Sequence, residues 1–380
     1  MIKKISLSVL VLLFFNKAES QDSALAIGDS LYQLGNYAAA INSYAKAPSA
    51  YSKHQIARAY NTIGNYEKAV LQYETLLKEY DNLFLASFEL GKLYYKIKSF
   101  DKAYDLFSSL LQKGAQNPQY HYYLGLILRE QSKSAASLSA FREAIDIDST
   151  HLKSIHEIGK YYLVNREKDS VVKYVDKGLL FYPNSVELIN IKALSLFNNG
   201  DLDLALPLFE KLIELKQQKE YIYDRLGQCY VNEKNYEKAV EAYENALKFD
   251  DENPKTLSAL GHIHWKIEEY EKAISFFEKV IDVQKVTFEK EYIAMARVSL
   301  DQKNMQKAIN YYELAYKEAP SFFIYYQICF LADNYYKDPK VRLGYYENYI
   351  KRYGKHQIPL KEYVEKRISE LNTEIHLSQE

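Results

Sequence analysis

The chain is poor in the residues that break regular structure. Its 380 residues hold 13 glycines and 8 prolines, where average usage would give about 27 and 19. That scarcity argues against a loop-rich all-β fold and against a collagen-like chain. Two cysteines are too few for a disulfide framework. Forty-nine basic and 50 acidic side chains leave a net charge of −1, which removes the electrostatic case for a nucleic-acid partner. No segment reaches the ~18 consecutive apolar residues that a membrane-spanning helix needs. What is present is a hydrophobic fraction of 48% beside 26% charged residues, the balance of a folding chain rather than a disordered one. Tyrosine is abundant at 37, with 17 phenylalanines and one tryptophan. Length alone, at ~150 residues per domain, suggests two or three domains.

Residues 1–20 read as an export signal. Met1–Lys4 carries two lysines, Ile5–Phe15 is an apolar stretch of eleven residues, and Ala18-Glu19-Ser20 sets small side chains three and one positions before Gln21. A positive start, an apolar middle and a small-residue cleavage site are the layout of a secretory signal peptide. Eleven residues at ~1.5 Å each cannot cross a ~30 Å hydrocarbon core, which argues against an N-terminal anchor. No cysteine near the site offers a place for a lipid. The mature chain is therefore expected to be exported, to the periplasm, the cell surface or the medium of a bacterium, without entering a membrane.

The remainder repeats itself. Asn65-Tyr66-Glu67-Lys68-Ala69-Val70 recurs as Asn235 to Val240, five intervals of 34 later, and Glu269-Tyr270-Glu271-Lys272-Ala273-Ile274 follows after one more. With the alanine as anchor the register runs Ala40, Ala69, Ala103, Ser137, Val171, Ala205, Ala239, Ala273, Ala308, in steps of 29, then six of 34, then 35. Twelve residues before each anchor stands a small residue: Gly28, Ala57, Gly91, Gly125, Gly159, Ala193, Gly227, Gly261, Ala296. Four residues after it stands an aromatic in every repeat but one, where Val175 takes the place. Apolar residues around both points fall at i, i+3, i+4 and i+7, so each repeat is predicted to be two amphipathic helices. The small residue lets the first helix approach closely, and the aromatic of the second fills the space that remains.

Turn residues separate the two helices, as in Gly35-Asn36, Gly64-Asn65, Asn199-Gly200-Asp201 and Lys234-Asn235. Pro183, Pro254 and Pro320 fall between repeats, where a helix must stop. Pro207 lies two residues past the anchor Ala205, inside the expected second helix. An interior proline costs ~3 kcal/mol, so a late start with Asp203 as N-cap, or a local kink, is expected there.

Taken together these features resemble the tetratricopeptide-repeat family. The repeat at 220–253 carries the family pattern as Tyr223, Leu226, Gly227, Tyr230, Ala239, Tyr243 and Ala246, with Asp251 where proline is usual. The resemblance covers residues 21–322 as nine repeats and is weakest at 152–185, where Val171, Val175 and Gly178 replace the small–aromatic–small trio. Sel1-like and HEAT repeats are the nearest alternatives, and the period of 34 favours the first family. The resemblance implies an all-α, right-handed superhelical solenoid with first helices lining a concave face. Residues 323–356 read as a degenerate tenth repeat, with Asp338-Pro339 opening its second helix and Gly354 placed to end it. A capping helix is expected within 357–380, with Leu360, Val364, Ile368, Leu371 and Ile375 on one stripe and a frayed tail. Cys229 and Cys329 lie about three repeats apart, so two free buried thiols are predicted.

No chemistry is legible. The glycines are isolated and form no phosphate-cradling loop. His262 and His264 point to different faces of one helix, and His151 and His156 are badly spaced for joint ligation. His264 falls at a packing position and is read as a core histidine. The acidic clusters Asp250-Asp251-Glu252 and Glu268-Glu269 fall at turns. Repeats and caps occupy nearly all of the mature chain, so a non-enzymatic protein without cofactor or metal is expected.

Surface remains. The family's groove positions are the second, fifth, ninth, twelfth and thirteenth of each first helix. Here they give the aromatics Tyr32, Tyr51, Phe88, Tyr95, Tyr122, Phe197, Tyr221 and Trp265, together with Leu126 and His262. Among them stand Arg58, Lys92, Lys96, Arg129, Lys160, Lys266 and Arg297. Aromatics with arginine suit a protein interface, while the plainer reading has some of these residues packing between repeats. Twelve tyrosines (37, 44, 60, 66, 73, 94, 162, 230, 236, 243, 270 and 312) fall at packing positions and are assigned to the architecture. The lysine–asparagine pair by which one branch of the family clamps chaperone tails is missing: the first three repeats offer Leu25/Asp29, His54/Arg58 and Phe88/Lys92. The expected role is a scaffold or adaptor that binds a protein or peptide in its groove, in envelope assembly or secretion. A self-assembling structural protein and a cell-wall carbohydrate binder that stacks sugars on groove aromatics are the alternatives.

Overall fold

The structure is a computed structural model that describes residues 21–114, 116–283, 288–354 and 360–377. The expected export signal and the last residues of the expected tail lie outside the described residues. Among the described residues every regular element is an α-helix. The first helices and their partners are α1 (21–33) and α2 (Tyr37–Tyr44), α3 (Ala50–Thr62) and α4 (Tyr66–Glu79), α5 (Phe84–Lys96) and α6 (Phe100–Gln112). There follow α7 (Pro118–Glu130) and α8 (Ser134–Ile147), α9 (Leu152–Val164) and α10 (Lys168–Phe181), α11 (Val186–Asn198) and α12 (Leu202–Glu214). The chain continues with α13 (Glu220–Asn232) and α14 (Tyr236–Leu247), α15 (Pro254–Lys266) and α16 (Tyr270–Val283), α17 (Glu289–Asp301) and α18 (Met305–Glu318). It closes with α19 (Phe322–Tyr335), α20 (Pro339–Tyr353) and α21 (Lys361–Leu377). The chain divides within α11 into two compact bodies, one up to Ile191 and one from Lys192. Each is a run of helix pairs, the all-α repeat architecture that the sequence pattern predicts.

In both bodies the core is the repeat register made solid. The anchors Ala69, Ala103, Val171, Ala205, Ala239, Ala273 and Ala308 are fully buried, as are the aromatics Tyr73, Phe107, Phe209 and Phe277. The small residue faces the aromatic of its own repeat: a Cβ built on Gly227 would lie 2.6 Å from the ring of Tyr243. That approach is open to glycine without adjustment, and the helices close on it. The polar anchor Ser137 is accommodated because its hydroxyl donates to the carbonyl of Gly125 at 2.7 Å, at the small-residue position of its own repeat. Seven of the twelve tyrosines assigned to packing are buried: Tyr44, Tyr73, Tyr94, Tyr162, Tyr230, Tyr243 and Tyr312.

The turn inside each repeat is one device used nine times. Residues 35, 64, 98, 132, 166, 200, 234, 268 and 303 all have φ near +60 to +85°, and they keep the spacing of the anchors. At each, paired backbone bonds close the first helix. Lys234 N–H donates to Val231 O at 3.0 Å, and Asn235 N–H to Tyr230 O at 2.9 Å. This is the Schellman closure, in which a left-handed residue turns the chain back on the last helical carbonyls. The residue after it caps the second helix. Asn36, Asn65, Asn235 and Asn304 do so through their side chains, satisfying N–H groups that the helix cannot. Three of these turns use glycine and six use ordinary residues, which accounts for part of the glycine scarcity.

Pro207 corrects an expectation. Helix α12 does not start late: it runs unbroken from Leu202 with Asp201 at the N-cap, and Ala205 N–H donates to Asp201 O at 3.0 Å. Pro207 sits inside it. The reason lies in the register, because Ala205, Leu206, Phe209 and Leu212 are all buried on one face and hold the helix from its first turn. Pro207 is exposed on the other side, where water can reach the carbonyl that lost its partner.

At the C-terminal end, Asp338 accepts from Lys340 N–H at 2.8 Å with Pro339 as first helical residue, and Gly354 ends α20 in right-handed conformation. Helix α21 buries Val364 and Leu371 completely. Asp333 ties this end together: Arg367 grips its carboxylate at 2.7 and 3.0 Å, and Tyr346 donates to it at 3.2 Å. Cys229 and Cys329 are buried free thiols, and burial pushes each up to about 12.

Candidate functional site

In the N-terminal body, five successive first helices surround one cavity of about 530 Å³. Tyr32 comes from α1, Arg58 from α3, Lys92, Tyr95 and Lys96 from α5, Tyr122 and Tyr123 from α7, and Lys153 from α9. Tyr73, from α4, reaches it from a second helix. Of the residues that the sequence singles out, Arg58, Lys92, Tyr95 and Tyr122 are thus brought together, with Tyr32, Lys96 and Leu126 beside them.

The charges around this cavity divide into a satisfied set and an unsatisfied one. Glu89, on α5, accepts from His54 Nε2 at 2.7 Å and from Tyr73 OH at 3.0 Å, and Arg58 Nε lies 3.5 Å away. Burial pushes its carboxyl up, but those hydrogen bonds and the positive charges outweigh burial and hold it below the ordinary carboxylate range. Arg58 also donates to Gln55 at 3.1 Å and lies 5.6 Å from the centre of the Tyr32 ring. The lysines are held differently. Lys92 rests 4.7 Å from the Phe88 ring centre, Lys96 4.6 Å from that of Tyr66, and Lys153 5.9 Å from that of Tyr122. Burial, with the nearby Glu157 charge, pushes the Tyr122 phenol up to about 12, so it stays neutral.

The other candidates are placed elsewhere. Phe88 is half-buried and packs edge-on against Phe107 and Tyr123, 6.1 and 5.7 Å between centres. Tyr51 is exposed and donates to Asp29 at 2.7 Å. Arg129 pairs with Glu157, beside a second cavity of about 370 Å³ that also includes Lys160 and Tyr161. In the C-terminal body, Phe197 lies edge-on to Phe209 under the guanidinium of Arg225, 4.5 Å from its ring centre. Tyr221 is half-buried on α13, and Arg297 is exposed on α17. His262 meets Phe277 edge-on at 5.1 Å. Trp265 spends its indole N–H on Asp301, 2.6 Å away. His264 is a core histidine as expected, buried, stacked on Phe276 and bonded to Glu269 at 2.6 Å.

The C-terminal body has a cavity of its own, about 360 Å³ between α12, α13 and α14. Its charges are mostly acidic: Glu210, Glu214 and Glu241 against Lys238. Here Lys238 lies 3.9 Å from Glu210, and Glu214 pairs with Lys211. Glu210 accepts from Tyr230 OH at 2.7 Å, and Lys238 covers the Tyr230 ring at 5.2 Å. Four repeats earlier Glu74, Tyr94 and Lys102 form the same constellation, so it belongs to the seam between repeats.

Glu89, Tyr123 and Lys153 escaped the sequence reading of the N-terminal cavity. Lys153 stands at the second position of its first helix, so the groove rule reaches it. Glu89 and Tyr123 each stand at the sixth position, one past the rule. Among the described residues no cluster of histidine, cysteine and carboxylates is arranged to hold a metal, and no helix is long and apolar enough to cross a membrane.

Fold and cavity together define a helix-pair repeat protein in whose N-terminal body successive first helices line one cavity. Comparison with known families names the repeat. The TPR repeat model matches residues 227–268, and tetratricopeptide-repeat models match 54–118 and 105–151, and 22–49, 186–219, 254–287 and 292–322. The chain belongs to the tetratricopeptide-repeat family. It is 24% identical over 178 residues to a DnaJ homolog subfamily C member 7 homolog of Dictyostelium discoideum, covering 43% of this chain and 33% of that one. A TPR repeat-containing protein of Methanocaldococcus jannaschii is 25% identical over 183 residues, covering 43% and 32%. The chain thus spans about a third of the length of these curated relatives. Among solved structures, YrrB, a TPR protein with an unusual peptide-binding site, is 18% identical with a TM-score of 0.44, covering 52% of this chain and 97% of that one. A tetratricopeptide repeat protein of Parabacteroides merdae is 14% identical with a TM-score of 0.42, covering 65% and 98%.

Proposed function

We propose that the protein is a non-catalytic interaction scaffold that receives a peptide segment of a partner protein in the N-terminal cavity. The observation that carries this is the convergence of Tyr32, Tyr95 and Tyr122 with Arg58, Lys92 and Lys96 from first helices on one concavity. Rigid aromatic faces beside fixed charges bind extended chains at low entropic cost. Selection of a random peptide library on the mature chain tests it, wild type against Tyr95→Val/Tyr122→Ser. Sequences enriched by the wild type and lost from the variant support the reading; identical enrichment by both rejects it.

The signal layout at Met1–Ser20 supports export from a bacterial cell and a role in envelope assembly or secretion. Mass spectrometry of the chain recovered from a bacterial envelope fraction should find its N-terminus at Gln21. A chain that keeps Met1 would remove the export assignment.

A further inference from the structure

We infer that the N-terminal cavity selects an acidic segment in extended conformation, with carboxylates at alternate residues. This rests on the reading of that cavity as a peptide site and names the chemistry of its partner.

Of the five ionised groups around the cavity, Glu89 and Arg58 are already engaged with one another, with His54, Tyr73 and Gln55. Lys92, Lys96 and Lys153 have no carboxylate in ion-pair range among the described residues; each ammonium is held over a ring instead. A cation over an aromatic face gains less than one that also donates to a carboxylate, and it keeps donors free to do so. The cavity therefore presents three fixed positive charges awaiting anions.

Spacing sets the form of the ligand. Lys92 and Lys96 are four residues apart on α5, ~6 Å along the helix axis. Alternate side chains of an extended strand point the same way and lie about 6.6 Å apart. An acidic residue, any residue, then a second acidic residue matches the pair, and Tyr95 and Tyr122 flank it.

A second observation separates these residues from the architecture. Four repeats later, the positions of Lys92, Tyr95, Lys96, Tyr122 and Tyr123 are held by Gln228, Val231, Asn232, Ser258 and Ala259. The same helix pairs form there, so the repeat does not need the lysines and tyrosines in order to fold.

Fluorescence anisotropy with the full mature chain tests the inference. The probe is a labelled ten-residue peptide with glutamate at alternate positions between serine and tyrosine. Comparison peptides carry glutamine for glutamate, or gather the same glutamates into one block, and a single-stranded oligonucleotide represents other polyanions. The alternating peptide should bind at least about tenfold tighter than either comparison peptide, with an affinity that falls as salt rises. Lys92→Gln/Lys96→Asn, built from residues that the repeat itself uses, should lose about tenfold or more for that peptide while melting like the wild type. Unchanged binding by this variant removes the site from the cavity. Equal binding of the block peptide overturns the alternate spacing. Equal binding of the glutamine peptide, with both lost in Tyr95→Val/Tyr122→Ser, overturns the acidic class and leaves the peptide site standing. An oligonucleotide that binds as tightly through the same lysines overturns the peptide class. Failure of every peptide, the random library included, overturns both readings.

Discussion

The two bodies use one repeat and treat some of their partly buried carboxylates in opposite ways. In the N-terminal body the partly buried carboxylates are consumed internally: Glu89 by His54, Tyr73 and Arg58, and Glu157 by Arg129, His156 and Lys160. Burial alone would raise both carboxyls, yet both are held below their ordinary range. In the C-terminal body Asp224 and Glu313 are raised by burial, and for Asp224 neither Arg225 at 3.4 Å nor Gln228 at 2.9 Å reverses it. Arg225 stands in the register of Glu89, and Asp224 in that of Phe88. The lesson is that packing positions fix the fold and leave the neighbouring positions free to carry charge of either sign. Among the described residues, that freedom leaves Lys92, Lys96 and Lys153 of the N-terminal body at a cavity with no carboxylate in ion-pair range.

The largest expected effect lies in the C-terminal body, where one carboxylate is bound as tightly as Glu89. Asp333→Ala should cost about 3 kcal/mol, because it removes the carboxylate that Arg367 shares with a mostly buried Arg342, whose Nη1 lies 3.5 Å from it, and leaves them only the more exposed Glu370 and Glu374. Denaturant midpoints measure it, with Glu79→Ala on the N-terminal rim as the exposed control, expected to cost under about 1 kcal/mol. Equal losses from the two would mean that the Asp333 network does not hold α19, α20 and α21 together.

Next comes packing, where the bodies differ at one position of the register. A methyl on Gly227 would meet the Tyr243 ring at 2.6 Å, whereas on Gly159 it would meet the smaller Val175 at 3.0 Å. Gly227→Ala should therefore destabilise by about 1–2 kcal/mol. Gly159→Ala should fall near zero, since its milder crowding is offset by the ~1 kcal/mol that alanine gains over glycine in a helix. Thermal melts of the two variants separate them, and the reverse order would show that the ring yields more readily than the valine. The repeats with Ala57, Ala193 and Ala296 at this position beside Tyr73, Phe209 and Tyr312 show that alanine is admissible once the backbone has been set for it.

These residues also show what could be read in advance. Ala239, Gly227 and Tyr243 were legible because every repeat buries the same three positions for the same steric reason. Phe88 satisfied the groove rule and sits half-buried, leaning on Phe107 and Tyr123, since periodicity gives a face of a helix but not the depth at which a ring settles. Glu89 and Tyr123 were invisible to a rule of five positions. The late start expected at Pro207 did not occur, because the cost of that proline depends on which side of α12 meets water. The left-handed turns were half visible, in Gly35, Gly64 and Gly200, and hidden wherever lysine, serine, arginine or glutamate holds the same backbone.

Acid should separate the bodies. Glu74, Glu89 and Glu157 have lowered pKa values: Glu74 by the hydrogen bond from Tyr94 first, Glu89 and Glu157 by bonds and charges that overcome burial. Such groups stabilise above the unfolded carboxylate pKa of ~4.3 and lose that stabilisation as pH falls through their folded values. Asp224 and Glu313, raised by burial, behave in the opposite sense: the folded state binds their protons first, so their contribution improves as pH drops toward the unfolded value. Glu269, in the same body, is lowered by bonds from Lys272 and His264, but it lies at the surface, where solvent screening keeps its share small. Trp265, the single tryptophan, lies in the C-terminal body. Between pH 5 and about 3 helical circular dichroism should therefore decline before tryptophan emission changes. Coincident transitions would dissolve this contrast between the bodies.

The smallest effect probes the turn that both bodies share. Lys234 holds φ of 59° at a position where Gly200, one repeat earlier, holds 85°. A side chain in that conformation costs ~1–2 kcal/mol through the clash of Cβ with the following carbonyl oxygen. Glycine removes the clash but gives the unfolded chain more freedom, returning roughly 0.5–1 kcal/mol of the gain. Lys234→Gly should thus stabilise by about 0.5 kcal/mol, and Lys98→Gly, with φ of 60° in the N-terminal body, by the same amount. Equal gains would establish the turn as a backbone device indifferent to the charges that distinguish the bodies. A gain confined to one would mean that the lysine side chain there does something its backbone position does not reveal.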